Sequence, residues 1–285
     1  MIRRNLISLV GACGALAVGI ALGAGPLSDV GHAESERAGD AGEVSGDLSR
    51  RVAVDERFVT DIGKAVVAGR LAKQRIAILA FPGVQQDVIT GVSAQVRTGG
   101  GAVTSVVRIA PAMVDPGRRT YLDTLSKRLA PRLDGRVNTT LDAYPRFGQL
   151  LGATYAGKKA ATSFDAGQST AAETLRTAKL VTVSGGKTPA TLVLVLVAKP
   201  VDRTVLTGIV HGLGGAAHAV VSAGPSSSTD LAALRAQDWG TWFASVDGVD
   251  TPAGQVATAL ALAHQVSQGG GDYGASGFGG LVPLG

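Results

Sequence analysis

The sequence predicts an α/β protein with an N-terminal transmembrane helix, an amphipathic linker helix, and a Rossmann-like three-layer domain with a mostly parallel sheet. Three observations predict it. Leu6 to Leu27 is one uncharged stretch, preceded by Arg3 and Arg4 and followed by no charge until Asp29. RIAILAF (Arg75 to Phe81) and TLVLVLVA (Thr191 to Ala198) are short, continuously apolar runs, as strands buried on both faces are. Each run is followed by helical spacing and then a second strand-like run, and two such alternating series point to helices layered over a parallel sheet.

The chain accordingly divides into a membrane anchor or signal segment (1–30), a tether with an amphipathic helix (31–72), an α/β domain (73–268) and a glycine-rich tail (269–285). At about 1.5 Å per residue the first segment is long enough for a hydrocarbon core of roughly 30 Å, and the basic pair favours a cytoplasmic N-terminus. The expectation is a single-pass cell-membrane protein with its C-terminal domain extracytoplasmic. A cleaved signal peptide shares the basic start but has a shorter apolar run. Ala21 to Ala24, or Gly31, His32 and Ala33, offer small-residue cleavage sites. Cys13 reads as a small apolar membrane residue, and Gly19 and Gly23 form a GxxxG that permits close helix approach.

Residues 31–46 carry no apolar period and read as a flexible tether. From Asp47, the positions Leu48, Val52, Val59, Ile62 and Val66 approximate a seven-residue repeat that Asp55 and Gly69 interrupt. This predicts a helix over about 47–71, able to pack on the domain, a protein partner or a second copy, and weak as a coiled coil. The domain then reads in order. Arg75 to Phe81 is a strand closed by Pro82 and Gly83, Asp87 to Arg97 a helix, Ala102 to Ile109 a strand, and Tyr121 to Leu129 a helix. Mixed material follows through Leu180. The second series has strands at 191–198, 217–223 and 242–246, with helices from Asp202 to about His211, near Asp230, and from Ala253 to Gln268. Thr251 is placed as an N-cap with Pro252 at the first helical position. The tail from Gly269 is expected to be loose.

Composition narrows the function classes. The chain is 45% hydrophobic but only 4% aromatic, so its core is built from Val, Leu, Ile and Ala. A net charge of +5 invites nucleic acid, but the basic residues are scattered and no aromatic platform accompanies them, so no nucleic-acid partner is expected. The only cysteine, Cys13, lies in the apolar segment, and Met1 and Met113 are far apart, so soft metal ligands are sparse.

The motifs weigh toward structure. SGGKT (Ser184 to Thr188) has Val181 where a phosphate loop needs glycine, and Pro189 where its helix would start; it reads as a turn. GLGGAA (Gly212 to Ala217) has the letters of a dinucleotide fingerprint but follows a helix and precedes a strand, the reverse of the needed order; it reads as a glycine-rich loop. His211 and His218 flank that loop and make an incomplete metal site. His264 shares a helix face with Leu260 and Val256 and reads as a core-edge residue. Asp115, Asp123, Asp247 and Asp250 are expected to cap helices. No catalytic, cofactor-binding or metal residue is assigned, and the chain is expected not to be an enzyme. An enzyme on this sheet would place its site near 81–85, 109–115 and 198–202.

The strings LISLVGACGALAVGIALGAG, VAGRLAKQRIAILAFPGV, IAPAMVDPGRRTYLDTL, VDGVDTPAGQVATALALA and GGGDYG, in this order, resemble the MctB-type copper transporter family of actinobacteria. The resemblance implies a membrane-associated protein of copper transport or homeostasis, and a copper ion as a possible ligand, with no other cofactor. The reading is a family protein acting at the cell envelope through partners. The alternative is a non-enzymatic envelope scaffold or docking protein with no direct metal role.

Overall fold

The computed structural model describes residues 37–267 and 269–283, with side chains described from Leu48 onward. The anchor reading, with Cys13, the Gly19/Gly23 pair and the cleavage candidates, lies outside the described residues. Among the described residues no helix is long and apolar enough to cross a membrane. The chain divides into two units, Met1–Phe58 and Val59–Gly285, each taken on its own below.

In the first unit the described residues belong to helix α1 (Arg37–Val67), which continues into the second. Helix therefore covers most of the segment expected to be a tether. Leu48, Val52, Val54 and Phe58 are exposed along it.

The second unit holds a seven-stranded sheet in the order β3-β2-β1-β4-β5-β6-β7. The strands are β1 (Arg75–Ala80), β2 (Ala102–Ile109), β3 (Val181–Gly185), β4 (Leu192–Leu196), β5 (Ala219–Gly224), β6 (Phe243–Asp247) and β7 (Gly271–Tyr273). All neighbours pair in parallel except β3, which runs antiparallel to β2. The helices are α2 (Gln86–Thr98), α3 (Pro111–Val114), α4 (Arg119–Leu129), α5 (Ala143–Tyr155), α6 (Ala166–Thr177), α7 (Arg203–Ala216), α8 (Thr229–Arg235) and α9 (Pro252–Gln265).

Side chains alternate across the strands, and both faces are apolar. Ala77, Leu79, Val107, Val193, Val195 and Val220 face α4 to α8, while Ile76, Ile78, Leu192, Leu194, Val221 and Val246 face α2 and α9. Burial on both faces is why β1 and β4 read as unbroken apolar runs. The end of α1 joins the second face through Val67, with Gly63 against Val256 of α9. The helix starts are sequence-encoded. Asp165 and Gln168 form a reciprocal capping box on α6, and Asp202, Ser228 and Thr251 accept backbone N–H bonds at the starts of α7, α8 and α9.

Three expectations are corrected. The glycine-rich tail is not loose throughout, since β7 pairs with β6 as the last strand of the sheet. SGGKT does not begin as a turn, because Ser184 and Gly185 end edge strand β3. GLGGAA is not a loop for most of its length, because α7 continues through Gly212, Gly214 and Gly215 to Ala216. The reason is close packing of α7 on α5. A Cβ at Gly208 would sit 2.6 Å from Cβ of Tyr144, one at Gly152 2.7 Å from Cβ of Ala216, and one at Gly212 2.8 Å from the carbonyl carbon of Gly148. Glycine in a helix costs about 1 kcal/mol relative to alanine, and here it lets two backbones approach where no side chain fits.

Candidate functional site

Strand order reverses between β1 and β4, and in open α/β sheets the crevice outside the carboxyl ends of the strands at that point is where ligands bind. Here the end of β1 runs into Phe81, Pro82 and Gly83, and Gly83 has φ 93°. The aliphatic stem of Lys199 lies over Gly83, so a Cβ there would be 2.6 Å from Cγ and 2.8 Å from Cδ of Lys199. Arg108, from β2, donates to the Val84 carbonyl at 3.1 Å and to Oε1 of Gln86 at 2.6 Å. The space directly over Gly83 is thus taken by the stem of Lys199, which is itself exposed.

A second place is a cleft of about 380 Å³ between the start of α4 and the loop leading into α5, lined by Arg119, Thr120, Asp123, Lys127, residues 139–143 and Arg146. Arg146 builds its wall. Its side chain is 3% exposed; Nη1 donates to the carbonyls of Thr139 at 2.6 Å and Leu141 at 2.5 Å, Nε donates to Oγ of Ser126 at 3.1 Å, and Nη2 pairs with Asp123. Burial lowers the Arg146 pKa from its ordinary value. Lys127 Nζ lies 2.8 Å from the other oxygen of Asp123. Asp123 is therefore an ion-pair partner in the body of α4, not the cap expected of it.

The third place lies at the ends of β6 and β7. Asp247, 3% exposed, accepts bonds from the N–H groups of Ala275 at 2.8 Å and Ser276 at 2.9 Å, from the Ser276 hydroxyl, and from Nη1 of Arg235 at 3.1 Å. Arg235 also donates to Oγ of Ser245 at 2.6 Å, to Oγ of Ser276 at 2.7 Å and to the Tyr273 carbonyl at 2.7 Å, while Ser245 donates to Asp272 at 2.7 Å. Burial pushes the Asp247 pKa up, but the donors from Ser276, Arg235 and Ala275 prevail and hold it below the usual carboxylate range. Asp247 too is no helix cap; it fastens the tail. Asp115 does cap, accepting from the Gly117 N–H at 2.9 Å.

His211 and His218 are directed apart. The His211 ring lies 6.3 Å from that of Trp239, whereas Nε2 of His218 is 3.2 Å from the Val266 carbonyl. His264 is half-buried, its ring 6.4 Å from that of Tyr273. Met113 is fully buried in the core. Among the described residues no group of three or more His, Cys, Asp or Glu side chains is arranged to hold a metal ion.

Residues 1–283 match the family described as copper transport outer membrane protein, MctB. The chain belongs to the MctB family. It is similar to the copper transporter MctB of Mycobacterium tuberculosis and to that of Mycobacterium bovis, each 26% identical over 300 aligned positions that cover 96% of this chain and 95% of the relative. Against this MctB match, the segments that carried the resemblance take up definite positions. Val114 to Leu125 supplies one wall of the cleft, and Val246 to Ala263 together with the tail supplies the end of β6, most of α9, β7, and Asp247 with part of its network.

Sequence reading missed two parts of these sites. Arg146 sits in a segment with no clear apolar period, and nothing local announces that it will hold the Thr139 and Leu141 carbonyls. Ser276 lies among glycines that read as tail. The available signal was Asp247 itself, an acid at the end of an apolar strand, where a buried carboxylate needs donors from elsewhere.

Proposed function

We propose that this chain serves copper transport or homeostasis at the cell envelope, held by one N-terminal membrane span with its C-terminal domain extracytoplasmic, and that it works without catalysis, through partners. The observation that carries this reading is family membership over residues 1–283. Copper is cargo in this reading and not a resident cofactor. The described sheet is open, with β3 and β7 as its edges and helices on both faces, which supports a docking domain over a pore wall. The exposed Leu48, Val52 and Phe58 on α1 support self-association of that helix with a second copy.

The test compares cellular copper in a strain lacking the chain with the same strain carrying it. The chain should lower copper accumulation, and the triple variant Leu48→Ser, Val52→Ser, Phe58→Ser should fail to do so while losing crosslinked dimer. Equal copper content with and without the chain defeats the copper reading. Dimer loss with full copper control defeats the role of the helix. Deleting all of 47–71 is the poorer test, because Val67 and Leu71 belong to the domain core.

A further inference from the structure

We propose that the cleft between α4 and α5 binds a small phosphate-type oxyanion. The cleft is a formed concavity of about 380 Å³, large enough for phosphate or a phosphomonoester. Its charged lining is three cations, Arg119, Lys127 and Arg146, against two carboxylates, Asp123 and Asp142. Asp123 pairs with both Arg146 and Lys127, a trio that keeps one net positive charge, and Arg119 offsets Asp142, so the lining as a whole is cationic by one charge. Arg119 and Thr120 line the cleft from the start of α4 and Thr139 from the facing loop, the two threonine hydroxyls adding uncharged donors.

Local helix chemistry agrees with the charge. Arg118 and Arg119 stand at the N-terminus of α4 with no acidic residue in its first turn, which is the unfavourable end of the helix dipole for a cation. Of the two only Arg119 lines the cleft, Arg118 lying over the Tyr121 ring, and the cost at Arg119 is recovered when an anion sits beside it. The α5 start also lines the cleft through Asp142 and Ala143; the Asp142 carboxylate makes no capping bond there and repels an anion, which places the ligand toward the α4 side, beside Arg119. Arg146 is the wrong group to meet the ligand, since its guanidinium holds the 139–141 loop. The ligand-contacting groups are Arg119, the free donors of Lys127 and the two threonines.

Free phosphate and a phospholipid headgroup share this chemistry, and the experiment separates them. Full-length chain in non-ionic detergent is titrated calorimetrically with inorganic phosphate and, separately, with glycerol 3-phosphate, at low ionic strength. Saturable one-to-one binding is expected, weakened about tenfold in Arg119→Ala, as losing a charge-assisted hydrogen bond implies. Arg119→Lys should recover part of it. Arg128→Ala, on the same helix but outside the cleft lining, should leave it unchanged. Tighter binding of glycerol 3-phosphate than of phosphate assigns the headgroup as the source, and the reverse order assigns the free anion. Absence of saturable binding to either probe overturns the proposal, as does an equal loss in Arg119→Ala and Arg128→Ala. Copper accumulation is read separately, so failure here leaves the family reading untouched.

Discussion

Gly212 and Gly215 lie one helical turn apart on α7, and alanine should act on them with opposite sign. At Gly212 an added Cβ would lie against the Pro145 carbonyl oxygen, the Gln149 amide nitrogen and, at 2.8 Å, the Gly148 carbonyl carbon. All three belong to the α5 backbone, which has no rotamer to change. Forcing a methyl into such a contact costs about 3 kcal/mol, the upper part of the overpacking range. The helix gains about 1 kcal/mol from replacing glycine by alanine, leaving about 2 kcal/mol of destabilisation. For a chain of this size that lowers the melting temperature by roughly 4–8 °C. At Gly215 the nearest atom is Nε2 of Gln149 at 2.9 Å, the end of a flexible side chain whose Oε1 accepts from the Asn138 N–H at 2.7 Å. A shift of a few tenths of an ångström at Nε2 relieves the contact while Oε1 keeps its bond, so the propensity gain survives and the melting temperature rises by up to roughly 2–4 °C. Differential scanning calorimetry of both variants beside the parent decides the matter. Two shifts of the same sign, or an unchanged melting temperature in Gly212→Ala, would refute the claim that backbone approach is why α7 is glycine-rich.

Two further predictions concern the tail. Asp247→Ala removes the acceptor for Ala275, Ser276 and Arg235, so limited proteolysis should cut the variant within 269–283 while the parent resists there. Because the folded Asp247 pKa lies below its unfolded value, the attachment is fully present above about pH 4 and is lost as pH falls through the lower folded value. Proteolysis with an acid-tolerant protease across pH 2–5 should show that loss in the parent, and Asp247→Asn should flatten the pH dependence.

How legible the fold was depended on how local its causes are. β1 and β4 could be read because both faces of each are buried, which leaves no polar position to blur the apolar run. The same logic hid β3, where Val181 is buried and the other four residues are exposed. An edge strand paired on one side keeps too few core residues to announce itself. The α7 glycines misled for a different reason. Helix propensity counts each glycine against the helix, whereas the compensating contact with α5 is a property of two segments more than fifty residues apart. Thr251 and Pro252 could be read because a cap is complete within four residues. The cleft was not legible, since of its lining only Asp123 stood out, as a helix cap, and one wall depends on where Arg146 ties down the 139–141 loop.

The tail shows how a glycine-rich string becomes specific. Asp247 is buried at the end of β6, and a carboxylate there is tolerable only if donors surround it. Backbone N–H groups can serve only if the chain passes very near the carboxylate. At the turn that brings them in, Gly274 has φ 102°, and a Cβ on it would lie 2.9 Å from the Asp247 backbone nitrogen and closer still to the carboxylate. Any larger residue at 274 would push away the donors that Asp247 requires. The glycine is therefore dictated by an acid in another strand, and the string GGGDYG belongs to the same unit as VDGVDTPAGQ even though α9 separates them. A composition that reads as disorder in isolation is, beside Asp247, the sequence that adds the last strand to the sheet.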